Sequence, residues 1–188
     1  MIIRKGTRNV IKADWRRYEQ KKCTILGVLY KVLIKTYVSP SSLSFAFLFW
    51  MRIYQNGNSF VRFFAKFKLA RFALKYGIDI SRNAKIGEGA YFPHITAGVV
   101  FRGNVRIGNN LTCLHGVTIG NDGRSSKGFT IIGDNCFIGA GAKIFGDIEL
   151  GDNVTVGGGA VVVSNVPDNV TVAGIPARII SRVNKDEG

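Results

Sequence analysis

The chain has 188 residues, with 26 Lys+Arg against 12 Asp+Glu and 46% hydrophobic residues, enough for one sizeable core and a small second module but not for a large multidomain enzyme. Residues 1–76 carry 16 basic and 2 acidic side chains and residues 77–188 carry 10 of each, so the first segment holds the whole net charge of +14. Gly divides the opposite way, 3 before Gly77 and 20 from there on, while 15 of the 21 aromatics precede it. Two physically different modules are expected, a basic aromatic-rich α-helical one over 1–76 and a glycine-rich one over 77–188.

Three cysteines without paired spacing, Cys23, Cys113 and Cys136, argue against a disulfide scaffold and against a Cys-rich zinc site, and make a reduced cytoplasmic setting the expectation. The longest uncharged apolar stretch, Leu43 to Met51, falls well short of the roughly 20 residues a membrane span needs. Met-Ile-Ile-Arg-Lys leads into a charged stretch, so no secretory leader is expected.

In chain order, Thr24 to Thr36 and Leu43 to Tyr54 read as helices, parted by Ser39-Pro40-Ser41-Ser42 and stopped by Asn56-Gly57-Asn58. Ser59 to Tyr76 reads as a basic amphipathic helix with Phe60, Phe63, Phe64, Phe67, Ala70 and Leu74 along one stripe and Arg62, Lys66, Lys68 and Lys75 off it. Two uses fit these helices. They pack on each other and on the second module, or residues 1–76 dock peripherally on an anionic membrane, at the inner face of the bacterial membrane. No nucleic-acid recognition motif accompanies the charge, so nucleic acid is not an expected partner.

From Ile80 onward small aliphatic residues recur every six positions. Ile86, Ile107, Ile132, Ile138, Leu150 and Val156 each precede a Gly, and four positions after each stands Ala90, Leu111, Cys136, Ala142, Val154 or Ala160. Strand side chains alternate between faces, so this rule describes a short strand plus a turn, with Gly or Asn in the strained turn positions. Three such sides close a triangular coil of about 18 residues, and the repeat predicts about five stacked coils. Two register breaks are evident. An extra Gly98-Val99-Val100 enters a wall, and the polar stretch 121–130 leaves the prism as a loop bordering the active site.

His94 and His115 are the only histidines. Counted in six-residue frames they fall on one corner, one coil apart, where an imidazole is the natural proton acceptor near neutral pH. Asp79 precedes His94 by just under one coil and is placed to approach the ring from the coil below and to orient it. Cys113 and Cys136 fall at inward positions and read as small core hydrophobes, not nucleophiles.

The repeat over Ile78 to Ile180 resembles the hexapeptide-repeat family, whose fold is a left-handed parallel β-helix. Gly77-Ile78-Asp79-Ile80, Gly116-Val117-Thr118-Ile119-Gly120, Ile138-Gly139-Ala140-Gly141-Ala142-Lys143 and Ala173-Gly174-Ile175-Pro176-Ala177-Arg178 look like the serine acetyltransferase branch, which includes capsule and surface-polysaccharide O-acetyltransferases. The resemblance implies Asp79 and His94 as the catalytic pair and a homotrimer with acetyl-CoA in grooves between prisms. It also implies cofactor contacts at Gly120, Ala140, Gly158, Arg178 and Arg182. Serine acetyltransferases carry an Asp where this chain has Pro93, an amide where it has His115, and an Asp-Arg-His-Pro run in the loop. Here the loop offers Asn121 and Arg124 as acceptor-binding candidates and no His. The expectation is therefore an acetyl-CoA-dependent O-acetyltransferase with a carbohydrate acceptor on a bacterial surface polysaccharide or its precursor. Serine O-acetylation is the runner-up. No metal is expected, although a zinc hydratase of γ-carbonic-anhydrase type, with histidines shared across a trimer, and a non-catalytic structural trimer use the same prism.

Overall fold

The computed structural model describes residues 5–19, 22–34, 39–102, 104–120 and 128–182. Four helices come first, α1 (Lys5–Tyr18), α2 (Ile25–Leu33), α3 (Pro40–Asn56) and α4 (Ser59–Tyr76). Local chemistry sets their ends. The Thr24 and Asn58 side chains accept from the Gly27 and Val61 N–H groups at 3.1 and 3.0 Å, and Pro40 opens α3. Gly77, left-handed at φ 64°, closes α4 and turns the chain into the first strand.

α1 has no counterpart among the helices expected from the sequence, although Thr7, Ile11, Asp14 and Trp15 line its buried face. In α4 the packed face is not the aromatic stripe. Ala65, Leu69 and Phe72 are buried, and the Phe60, Phe63, Phe64, Phe67, Leu74 stripe faces solvent. α3 explains this. Its own side chains occupy the space above the prism, with Phe47 edge-on to Phe72 at 5.8 Å, and small Ala65 lets the two helices approach.

The rest of the chain forms a three-walled parallel β-helix. One wall stacks β1 (Ile78–Ile80), β3 (Val99–Arg102), β6 (Val117–Gly120), β9 (Lys143–Phe145) and β12 (Val161–Val162). A second stacks β2 (Lys85–Ile86), β4 (Val105–Ile107), β7 (Thr130–Ile132) and β10 (Glu149–Leu150). The third stacks β5 (Thr112–Cys113), β8 (Phe137–Ile138), β11 (Thr155–Val156) and β13 (Val170–Gly174), and β14 (Ala177–Arg182) folds back antiparallel on its end. The twelve inward positions read from the repeat, from Ile86 and Ala90 to Val156 and Ala160, are all buried.

Register partners measure each coil. Val99 pairs with Val117, one regular coil on. The steps from Ile78 to its partner Val99 and from Ile107 to its partner Ile132 are both longer, so the two breaks are surplus residues in otherwise regular coils. The first differs in place from its expectation. Val99 and Val100 sit in regular register on β3, and the surplus is taken up just before, in the 3₁₀ turn Ile95–Ala97.

One corner carries a polar ladder. Asn110, Asn135, Asn153 and Asn169 are left-handed at φ 56–59°, a conformation Asn tolerates better than most residues. Asn110 donates to Asn135 (3.0 Å) and Asn153 to Asn169 (2.9 Å). The carboxylates of Asp134, Asp152 and Asp168 each accept from a backbone N–H of the preceding coil, at 2.6, 2.7 and 2.9 Å.

The helices are bolted to the first coils by a buried ion pair. Asp14 takes Arg52 at 3.0 Å and also accepts from Gly89 and Ala90 N–H at 2.9 and 3.2 Å, while Arg52 donates to the Ile86 and Gly87 carbonyls. Burial raises the Asp14 carboxyl above its ordinary range against the pull of Arg52 and the two N–H groups. Tyr18 adds a bond, its hydroxyl accepting from Phe92 N–H at 2.8 Å. Prism and helices share one core.

Candidate active site

His94 and His115 meet at the corner between the third wall and the first. His94 caps the 3₁₀ turn Ile95–Ala97, and His115 lies in the turn joining β5 to β6, one coil further on. Their rings stand 6.1 Å apart, edge to face at 78°, and both side chains are exposed. The corner is stitched by backbone bonds, Gly116 N–H to Gly98 O at 2.6 Å and Gly141 N–H to His115 O at 2.8 Å. Gly116, left-handed at φ 68°, makes the tight turn beside the ring.

Upstream, α1 braces the strand that delivers His94. Besides the Tyr18 bond to Phe92, the Tyr18 and Tyr91 rings stack edge-on at 4.9 Å, and Arg17 lies over Tyr91 at 5.8 Å while donating to Thr112 at 2.7 Å. Lys143, one coil above His115, donates to Gly116 O at 3.1 Å and sets a cation beside the corner. These helix residues and Lys143 were not read as site residues. A repeat analysis sees the prism alone, and the three-dimensional neighbours of its corner come from α1.

The same corner continues upward through two of the expected cofactor positions. Gly159 N–H donates to Ala140 O at 2.8 Å, so His115, Ala140 and Gly158 follow one another up the prism edge. Nothing larger than a methyl projects from Ala140 and Gly158, which leaves a smooth track of backbone above the two imidazoles. Gly120 is buried, and a Cβ there would lie 2.5 Å from Arg102 O, so coil packing alone demands glycine at this position. Arg178 and Arg182 are exposed on β14, at the end of the wall that flanks the track.

Asp79 is exposed on β1 with its carboxylate 3.2 Å from Arg102, and it forms no hydrogen bond or ion pair with either histidine among the described residues. Its register partner is Val100, because this coil is longer than a regular one and His94 lies in the turn before β3. Asn121 and Arg124 lie outside the described residues. The loop's far end is anchored at Gly128, whose carbonyl accepts from Asn104 at 3.2 Å.

The buried thiols are chemically quiet. Desolvation pushes Cys113 far above the ordinary thiol range and Cys136 up to about 11, so neither offers thiolate near neutral pH. Among the described residues no three His, Cys, Asp or Glu side chains gather at a point, and no helix is long and apolar enough to cross a membrane.

The fold and its corner define a class, and comparison with known proteins agrees. Residues 129–164 match the family model of the bacterial transferase hexapeptide (six repeats). A serine acetyltransferase of Neisseria gonorrhoeae superposes with a TM-score of 0.74 at 30% identity, covering 96% of this chain and 68% of that one. The chain belongs to the hexapeptide-repeat transferase family. Within it the similarity is to serine acetyltransferases, 41% over 117 residues for the enzyme of Buchnera aphidicola and 37% over 126 for that of Mycobacterium tuberculosis. Those alignments cover 61% and 64% of this chain and 42% and 55% of the relatives, so the chain spans about half the length of the curated relatives it matches. A serine acetyltransferase solved in complex with CoA superposes with a TM-score of 0.69 at 26% identity, over 93% of this chain and 70% of that one.

Proposed function

We propose that the chain is an acetyl-CoA-dependent O-acetyltransferase and that its acceptor is the hydroxyl of serine. The observation that carries the chemistry is the histidine pair at the foot of a smooth backbone track. The similarity to serine acetyltransferases carries the acceptor. His94 takes the proton from the acceptor hydroxyl as its oxygen bonds the acetyl carbon. The carbon–sulfur bond then breaks, and the proton passes from His94 to the departing CoA thiolate. Acetyl-CoA supplies the activated acetyl group as its thioester. Its pantetheine arm fits the edge along Ala140 and Gly158, and Arg178 and Arg182 supply positive charge for its phosphates. His115, beside the base, orients the acceptor.

Asp79 is the expected orienter of His94, and its role here runs through Arg102. Rotation of Arg102 away from the carboxylate when substrates bind would release it to the ring, since an exposed pair of this kind is held weakly. The prism forms a homotrimer with the tracks between subunits under closed threefold symmetry. Sedimentation of the full chain should give a trimer, and a monomer active at nanomolar concentration would contradict it.

One observation favours a second acceptor. Pro93 and His115 stand where serine acetyltransferases carry Asp and an amide, and 121–128 lacks their Asp-Arg-His-Pro run. Those differences suit a sugar hydroxyl of a surface polysaccharide or its precursor. Products formed from acetyl-CoA with L-serine and with capsular oligosaccharides, identified by mass spectrometry, decide between the two. The serine reading expects O-acetylserine as the main product. Acetylated sugar with no O-acetylserine would overturn it.

A further inference from the structure

α4 buries Ala65, Leu69 and Phe72, and its opposite face holds Phe60, Phe63, Phe64, Phe67 and Leu74 at 72, 67, 50, 65 and 89% exposure. Scattered exposed apolar residues are ordinary, but five on one helix face form a patch of the kind that marks a binding surface. The rings are already gathered, with Phe64 edge-on to Phe60 at 5.0 Å and to Phe63 at 5.7 Å. The same helix carries Arg62, Lys66, Lys68, Arg71 and Lys75 and no acidic residue. At about 100° per residue, Arg71 falls within the aromatic stripe and Lys66 and Lys68 flank it on opposite sides.

We infer that α4 docks this face on an anionic lipid bilayer, phenyl rings among the headgroups and lysine and arginine on the lipid phosphates. Rings on one face with cations at and beside them suit a helix lying in the interface plane. A bilayer supplies both the apolar medium and the negative field that such a face lacks in water. A twofold pairing of this face with its own copy does not fit as well. Two α4 faces paired about a twofold axis would set the cations of one helix against those of the other, with no acidic residue on α4 to offset them. Docking makes no use of His94 or the backbone track, so it stands or falls apart from acetyl transfer.

Flotation of the full chain with vesicles tests it, comparing phosphatidylcholine alone with phosphatidylcholine containing a minority of phosphatidylglycerol. The expected result is binding to the anionic vesicles that weakens by roughly tenfold or more as salt rises from about 0.05 to 0.5 M. F63S/F67S should lose at least about tenfold in partitioning, and K66Q/K68Q/R71Q on the order of a hundredfold. All five side chains are exposed, and the ring contact that the cation variant gives up, Lys68 over Trp50 at 6.0 Å, costs about 0.5–1 kcal/mol, so both variants should melt within a few degrees of the wild type. No binding to anionic vesicles at low salt would overturn the inference, as would equal binding by wild type and both variants. A drop in oligomeric state of F63S/F67S in sedimentation, with vesicle binding unchanged, would assign the face to a contact between copies instead.

Discussion

His94→Ala should lower kcat by at least about 10²-fold while leaving the affinity for CoA nearly unchanged, because a general base acts in the chemical step and not in holding the thioester. The comparison variant is His115→Ala. Its ring faces His94 at 6.1 Å but stands one coil further along the corner, so its loss should raise KM for the acceptor more than it lowers kcat. Initial rates with varied acceptor and varied acetyl-CoA separate the two effects. Near-normal turnover in His94→Ala, with abolished turnover in His115→Ala, would reverse the roles.

The second large effect is on stability. Asp14→Ala leaves the Arg52 guanidinium buried against the Ile86 and Gly87 carbonyls and strips the Gly89 and Ala90 N–H groups of their acceptor. Removing one partner of a buried pair costs about 3–5 kcal/mol, which for a chain of this size corresponds to a fall in Tm of roughly 6–20 °C. Calorimetry on the full chain reads this directly. Replacing both partners, D14L/R52L, should recover part of the loss, since no charge is then left buried alone. A loss below about 1 kcal/mol in Asp14→Ala would mean that water reaches Arg52. The effect extends to the site, because Gly89 and Ala90 lie on the segment that leads to His94.

How much of this was legible in the sequence depended on what each position must do. The six-residue rule was readable because the interior of a coil admits only small and medium apolar side chains, and Ala90, Cys136 and Ala160 state that limit without structural help. The histidine corner followed from counting frames, since backbone stacking leaves no freedom in which turn lies above which. Asp79 was only partly readable. Its spacing from His94 suggests an approach from the coil below, but the Arg102 guanidinium that holds its carboxylate at 3.2 Å comes from the neighbouring strand, and no repeat position announces that contact.

The helices were harder for a different reason. The inward stripe of α1 contains Thr7 and Asp14, at 4 and 1% exposure, and polar residues on a buried face blur the apolar period. In α4 two apolar stripes compete, and the sequence left open which of them packs, whereas the structure buries Ala65, Leu69 and Phe72. The polar ladder carries a visible signal in the sequence. Gly108-Asn109-Asn110, Gly133-Asp134-Asn135 and Gly151-Asp152-Asn153 repeat a turn signature at one position of successive coils.

The most direct measurement is acceptor-dependent release of CoA thiol from acetyl-CoA, followed for the wild-type chain and His94→Ala side by side with L-serine as acceptor. Transfer at the histidine corner predicts release that rises with serine in the wild type and falls by at least about 10²-fold in the variant. Release that ignores the acceptor, or that survives undiminished in His94→Ala, would contradict it.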